Sequence, residues 1–230
     1  MSTSYGHKIV TRGLLVCLDA ANEKSNNAGA SDWFDLSYPG AQLSASNPRN
    51  CEWVTAPTFN SAGYWTFNGT SHYGTITPAL SMTNFTIEVW ARPNGNQTTS
   101  SAIISDYYPA YVNYALTFQA NNLDVYAGIY TPVVSWKYSG AKTLANGAWH
   151  QIVMTHDGTN INLYVNKSAA TSGVLGQVAQ SSAVQINIGK RWDIADYYKG
   201  DLAAIFMYDR ALSVSEIGQN YNALSQRFGL

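Results

Sequence analysis

"WHQIVMTHDGTNINLYVN", residues 149–166, decides the fold class. In its second half Ile161, Leu163 and Val165 fall on one side of the chain. That alternation is the mark of a half-buried strand, because successive side chains leave a pleated backbone on opposite faces. Between the two apolar stretches stand Asp157-Gly158 and then Thr159-Asn160. Asp and Gly tolerate the tight backbone that reverses a chain. The stretch therefore predicts an antiparallel hairpin with a short polar turn.

The same pattern extends outward. In "FTIEVWAR" (85–92), Phe85, Ile87, Val89 and Ala91 point one way, and Thr86, Glu88, Trp90 and Arg92 the other. Further strands are expected at 13–19, 64–68, 72–77, 102–106, 112–119, 123–129, 133–138, 184–189 and 201–208, separated by turns such as "NPRN", "PNGNQ" and "ANG". Many short strands with no helical pattern between them predict an all-β, two-sheet antiparallel sandwich. Residues 22–50 are polar and irregular, a surface excursion anchored by Trp33 and Phe34. No linker divides the chain, so we expect an N-terminal arm over 1–12, free to dock on a neighbour, and a single domain over 13–230.

One helix is expected, at the C-terminal end. Ser213 followed by Glu216 is a capping box. Val214, Ile217, Tyr221 and Leu224 then recur on one apolar face. These four are the expected interface residues, set on the sandwich edge or against another subunit.

Composition narrows the function. Hydrophobic residues make up 46% of the chain, which excludes disorder. Charged residues make up 12% and the formal net charge is −1. No basic field attracts nucleic acid or anionic lipid. The short apolar run "GLLVCLDAA" is too brief to span a membrane and does not read as an export signal. Two cysteines make no disulfide framework. Cys17 lies in an apolar strand, either as a buried free thiol or bridged to Cys51.

The residues do not assemble a hydrolase. Retaining glycoside hydrolysis needs two carboxylates about 5 Å apart. "FTIEVWAR" and "ALTFQANNLDV" each carry one acid, Glu88 or Asp124. Glu88 reads as a satisfied sandwich residue near Arg92, no G-x-S-x-G elbow is present, and no catalytic residue is assigned. His150 and His156 share a strand face but lie about 20 Å apart along it, too far to share one zinc ion.

Carbohydrate binding is the activity that remains. Sugar rings stack their C–H faces on aromatics and pair their hydroxyls with planar polar groups. The chain holds 16 Tyr and 7 Trp. Clusters occur at 105–114, at "SWKYSG" (135–140) and at "KRWDIADYYKG" (190–200). Trp192, Asp193, Tyr197 and Tyr198 of the last, with Trp136 and Tyr138, are the candidate sugar-binding residues. Filling or capping a large sandwich, or forming a subunit interface, is the other use such rings have.

"GLLVCLDAAN" (13–22), "WTFNGTSHYGTI" (65–76), "FTIEVWARPN" (85–94), residues 149–166, "INIGKRW" (186–192) and "GDLAAIFMYDRALSVSEI" (200–217) together resemble the laminin-G-like, concanavalin A-like jelly roll. The resemblance implies two packed sheets, one curved, with a concave face and rim loops. Many such domains bind calcium with carboxylate and carbonyl oxygens, and their last strand reads G-x-I-D-D-V-x-I-Y. Here Ala203 and Ala204 stand at both acidic positions. The resemblance thus implies a calcium site stripped of its main ligand, with Asp19 and Asp201 as remaining candidates, and no other cofactor.

The segments 6–25 and 209–230 are also similar to the ends of laminin-G-like domains in structural proteins of tailed bacteriophages. That resemblance implies a non-enzymatic virion structural protein, a capsid decoration or fibre module, assembled in the host cytoplasm and carried on the virion surface. Its partners would be other virion proteins and copies of itself, with host-surface carbohydrate as a further ligand. The competing expectation is a lectin-like adhesin or receptor-binding protein.

Overall fold

The structure is a computed structural model, and it describes residues 8–26, 32–37, 49–77, 80, 82–107, 114–131, 135–174, 185–191 and 195–230. In chain order the strands are β1 (Leu14–Asp19), β2 (Asp32–Trp33), β3 (Cys51–Thr55), β4 (Thr58–Asn60), β5 (Tyr64–Asn68), β6 (Tyr73–Ile76), β7 (Phe85–Pro93), β8 (Ala102–Tyr107) and β9 (Tyr114–Phe118). There follow β10 (Asp124–Thr131), β11 (Ser135–Tyr138), β12 (Lys142–Thr143), β13 (His150–His156), β14 (Asn160–Val165), β15 (Ser168–Val174), β16 (Gln185–Ile188) and β17 (Lys199–Tyr208). A helix, α1 (Val214–Leu224), and a 3₁₀ turn, Ser225–Phe228, close the chain.

The strands form two antiparallel sheets. The first runs β15-β14-β13-β7-β17-β5-β4, with β1 also paired to β17, and the second runs β11-β10-β9-β8-β16-β6-β3-β2, with β12 on β10. The alternation in β7 decides which residues meet the opposite sheet. Phe85, Ile87, Val89 and Ala91 join Ile152, Met154, Leu116, Phe118, Ile186 and Ile188 in the inter-sheet core. The hairpin read from 149–166 is β13 and β14, with Met154 opposite Leu163. In its turn, Asp157 Oδ1 accepts the backbone N–H of Thr159 and of Asn160.

The outer face of the first sheet carries a second core. Trp90, Val153, Phe206 and Tyr208 of that face are buried with Ile217 of α1 and Val10 of the N-terminal segment. Between Leu202 and Ala204 the β17–β7 register shifts. This bulge carries both Ala203 and Ala204 into the outer cluster, while Leu202 and Ile205 remain in the inner one. Their small side chains leave room beside Trp90, which pairs with Ala204 and stacks on Phe228 at 4.7 Å.

Polar groups lock this layer. Glu88 is fully buried, and its carboxyl accepts Trp90 Nε1–H (3.1 Å), Gln151 Nε2–H (2.9 Å) and Asn220 Nδ2–H (2.7 Å). Asn220 Oδ1 in turn accepts Val10 N–H at 2.7 Å, and the Tyr208 hydroxyl donates to Val10 O at 3.1 Å. The capping box forms as expected, with Ser213 and Glu216 bonded reciprocally.

Several expectations are resolved here, some of them as corrections. The apolar stripe of α1 packs on its own sheet: Ile217 is buried, Tyr221 and Leu224 pack against the same cluster, and only Val214 is exposed. Residues 8–12 of the arm lie on the same domain, with Gln219 Nε2 donating to Lys8 O; residues 1–7 are outside the described set. Glu88 does not meet Arg92, which is bonded to Asp201 at 2.8 Å. Cys17 and Cys51 are both free and buried, and burial beside Asp19 and Asp35 pushes the Cys17 thiol up to about 12. Strand β15 was not expected, because "SAATSGV" has no apolar alternation. It follows a tight turn in which Asn166 and Lys167 both take positive φ, the backbone of a two-residue hairpin. Among the described residues, no helix is long and apolar enough to cross a membrane.

Two outcomes follow for the latch. Asn220→Ala strands the Glu88 carboxyl and the Val10 N–H, so it should cost about 2–4 kcal/mol in urea unfolding, while Val214→Ala should stay within about 0.5 kcal/mol. Burial raises the Glu88 carboxyl above its ordinary 4.5, against the three donors that lower it. A raised folded value favours the protonated form, so this contribution is complete below 4.5 and is lost as pH rises through the folded value. Glu88→Gln should flatten that fall in stability on the alkaline side of 4.5, measured by melting temperature against pH.

Candidate functional site

The outer face of the second sheet is not covered by α1. Its register draws one row across seven strands: Glu52 pairs with Thr75, Thr75 with Asn187, Asn187 with Ser105, Ser105 with Ala115, Ala115 with Gly128, and Gly128 with Tyr138. Paired residues share a face, so the small side chains from Thr75 to Gly128 form a continuous floor. Each alternates with a core residue such as Ile188, Ile104 or Leu116. Thr117, one strand step from this row, is buried and its hydroxyl has no partner.

Aromatic pairs stand at both ends of the floor. On one side Tyr126 and Tyr138 meet edge to face at 4.8 Å. On the other, Tyr73 of β6 and Tyr197 meet at 6.0 Å. Lys190 Nζ lies 4.6 Å from the Tyr73 ring centre and 5.7 Å from that of Tyr197. Arg191 follows it and pairs with Asp196 at 3.5 Å. Burial raises the Tyr138 hydroxyl, the Tyr126 phenol adds to this, and the Arg191 charge opposes it. The hydroxyl is therefore a neutral donor and acceptor at physiological pH.

The loop after β16 is held in place by backbone geometry. Gly189 has φ +82, and a Cβ there would run into the Phe67 ring. Tyr198 N donates to Gly189 O at 2.9 Å, Arg191 N to Asp196 O at 3.0 Å, and Ser105 Oγ to Lys190 O at 3.1 Å. These bonds bring Lys190 and Arg191 alongside Asp196 and Tyr197.

The structure divides the predicted site residues. Tyr197 and Tyr138 lie on this face, and Tyr138 is exposed. Trp136 lies in β11 opposite Tyr130, two residues along from Tyr138. Trp192 and Asp193 are outside the described residues. Tyr198 is corrected: it is fully buried, stacked on Phe118 at 5.9 Å, with its hydroxyl 3.4 Å from Asp201 O. A ring with both faces in the core has none left for a sugar. Both calcium candidates are tied to arginine. Asp19 Oδ1 takes Arg227 Nη1 at 2.6 Å; Asp201 takes Arg92 at 2.8 Å and the Thr66 hydroxyl at 2.6 Å. Asp124 is bonded by Asn122 and Thr143.

Tyr73, Tyr126, Lys190 and the Thr75–Gly128 floor were missed in the sequence. The alternation of Tyr126 and Gly128 with buried Ala127 and Ile129 was the available signal. What it lacked was the cross-strand register.

Chemically, the face offers flat apolar rings at two ends of a hydroxyl- and amide-bearing floor, with cations and a carboxylate at the rim. This is the equipment for holding a neutral or mildly acidic polyol by stacking and hydrogen bonding.

Two packed antiparallel sheets with this order define a concanavalin A-like jelly-roll sandwich. Residues 68–218 match the laminin G-type family described as the concanavalin A-like lectin/glucanases superfamily, and the chain belongs to that family. No curated protein sequence matches the chain. Among solved structures it is similar to the botulinum neurotoxin serotype D binding domain, with TM-score 0.69 and 12% identity over 92% of this chain and 52% of that one. It is also similar to the serotype D ligand binding domain in complex with N-acetylneuraminic acid, with TM-score 0.68 and 14% identity over 92% and 51%. A third is Trypanosoma rangeli sialidase in complex with sialic acid, with TM-score 0.69 and 14% identity over 97% and 36%. The likeness is one of fold, and the chain spans about half of the neurotoxin domains and about a third of the sialidase.

Proposed function

We propose that the chain is a non-catalytic, lectin-like binding module that holds carbohydrate on the outer face of its second sheet. The observation that carries this reading is the small-residue floor flanked by Tyr126 with Tyr138 and by Tyr73 with Tyr197. The position of Glu88 supports the absence of hydrolysis, because α1 seals that carboxyl from any substrate. The sialic acid and N-acetylneuraminic acid in the structures of similar fold make sialylated glycans the first probes.

The setting we propose is the surface of a tailed-bacteriophage particle, as a capsid decoration or fibre module beside copies of itself and other virion proteins. The likeness of segments 6–25 and 209–230 to phage structural domains supports it, as does a surface made polar with only 12% charged residues.

A glycan array with the purified protein at micromolar concentration, with and without calcium, tests the ligand. Binding is expected in both conditions, and Tyr197→Ala and Tyr138→Ala should each weaken it about tenfold, the loss of one stacking contact, at unchanged melting temperature. Binding to no glycan in either condition overturns the carbohydrate reading. Mass spectrometry of purified tailed particles, followed by a map of the particle, tests the setting; the chain should be found on the outer shell or a fibre, and its absence from particles overturns display.

A further inference from the structure

A cavity of about 350 Å³ opens at one side of the sandwich, between β12 of the second sheet and β13–β15 of the first. It shares no lining residue with the floor described above. Its wall includes His150, the first residue of β13, which pairs with Ala91 and so faces inward toward the space between the sheets. The residue is only 7% exposed.

The imidazole is half satisfied. Nε2 lies 3.1 Å from Ala145 O. A carbonyl only accepts, so in the neutral ring the proton sits on Nε2 and Nδ1 carries a lone pair. Nδ1 is buried and has no hydrogen-bond partner. Burial lowers the His150 pKa below its ordinary 6.5, against the hydrogen bond to Ala145, so the ring is neutral at physiological pH. A buried acceptor of this kind calls for a donor delivered from the cavity.

The rest of the wall sets the kind of donor. Asn166 Oδ1 is occupied by Gln151 N–H at 3.0 Å, which leaves the Asn166 Nδ2 as a donor. Ser168 and Lys142 are exposed at the mouth, and Leu144 and Val165 supply apolar wall. The cavity wall thus combines a buried acceptor on His150, exposed donors on Lys142 and Ser168, and apolar surface from Leu144 and Val165. Its volume is at the low end of small-molecule pockets, room for one ring rather than a chain.

We propose that this cavity binds a single-ring polyol of monosaccharide size, with one ligand hydroxyl donating to His150 Nδ1. The deep acceptor takes a hydroxyl that an apolar ligand lacks, and the Leu144–Val165 wall takes the C–H face of the ring. This is a second site, independent of the proposed glycan surface.

The test is a titration of the full chain with D-glucose, D-galactose, N-acetylglucosamine and D-glucuronate, followed by long-range ¹H–¹⁵N spectra of the imidazoles and by saturation transfer to the sugar. At least one sugar should give a saturable shift of the His150 Nδ1 signal, with a dissociation constant of about 1–50 mM. Glucuronate binding more tightly than the neutral sugars would assign the Lys142 ammonium a part. His150→Phe should weaken saturation transfer at least tenfold, and Ser168→Tyr, a change at an exposed position that blocks the mouth, should do the same if His150→Phe does not fold. Tyr138→Ala and Tyr197→Ala should leave it unchanged, which separates this site from the outer-face reading. The proposal is overturned if no sugar moves the His150 signal, or if the response survives Ser168→Tyr.

Discussion

The amide of Asn220 is the point on which the outer layer of the first sheet depends. It donates to the Glu88 carboxyl and accepts from Val10, so one side chain ties α1, the central strand β7 and the N-terminal segment together. Gln151 completes the joint by donating to both Glu88 and Ile217 O. A buried carboxyl is costly unless donors surround it. Here the donors arrive from three elements at once, so a partial assembly leaves the carboxyl unsatisfied in a dry environment. The arrangement selects one docking position for the helix, where apolar contact alone would accept several. Ala203 and Ala204 belong to the same arrangement. At a bulge in β17 they supply the low ground on which Trp90 and Phe228 stack.

Sealing that face sets the two outer faces of the sandwich apart. A two-sheet sandwich has two outer faces, and α1 with the 3₁₀ turn occupies one. The other is left with a floor of Thr, Asn, Ser, Ala and Gly, each the polar or small partner of a core residue on the same strand. Small residues on neighbouring strands at the same level make a low, continuous layer, in which Asn187, Ser105, Ala115 and Gly128 are buried and the Ser105 hydroxyl donates to Lys190 O. The rings must then stand at its ends, and they do, on β6 and the Tyr197 loop at one side and on β10 and β11 at the other.

The fold was legible in the sequence because period-two alternation is local. Phe85, Ile87 and Val89 announce their common face without reference to any other strand. The capping box at Ser213 and Glu216 is equally local. The site was less legible, for two physical reasons. A binding floor is defined by register, which sets residues far apart in sequence, such as Asn187 and Ser105, side by side. An aromatic residue also reads the same whether it fills a core or faces a ligand. Tyr197 and Tyr198 are neighbours with opposite destinations, and only strand parity at the Gly189 loop separates them. The helix was located correctly, and its partner was left open between its own sandwich and another subunit, since an amphipathic stripe states that something is covered and not what covers it.

The two alanines in β17 also bear on charge. The carboxylates nearest these alanines, Asp201 and Asp19, are both paired with arginines. Asp201 is held by Arg92, whose guanidinium lies between Tyr64 and Trp149 at 4.9 and 5.0 Å from their ring centres. Asp19 is held by Arg227 of the 3₁₀ turn. Trp149 packs in turn on Phe228 at 4.7 Å, so the Arg92 stack and the C-terminal turn form one continuous surface. A metal ion binds reversibly and can be stripped, whereas a guanidinium on the same chain is present whenever the chain is folded. Arg227 therefore anchors the C-terminal turn to Asp19 and to Gly63 O whenever the chain is folded. The outer face of the first sheet is thus closed by α1 and the 3₁₀ turn, which share one buried cluster with Trp90 and Phe206.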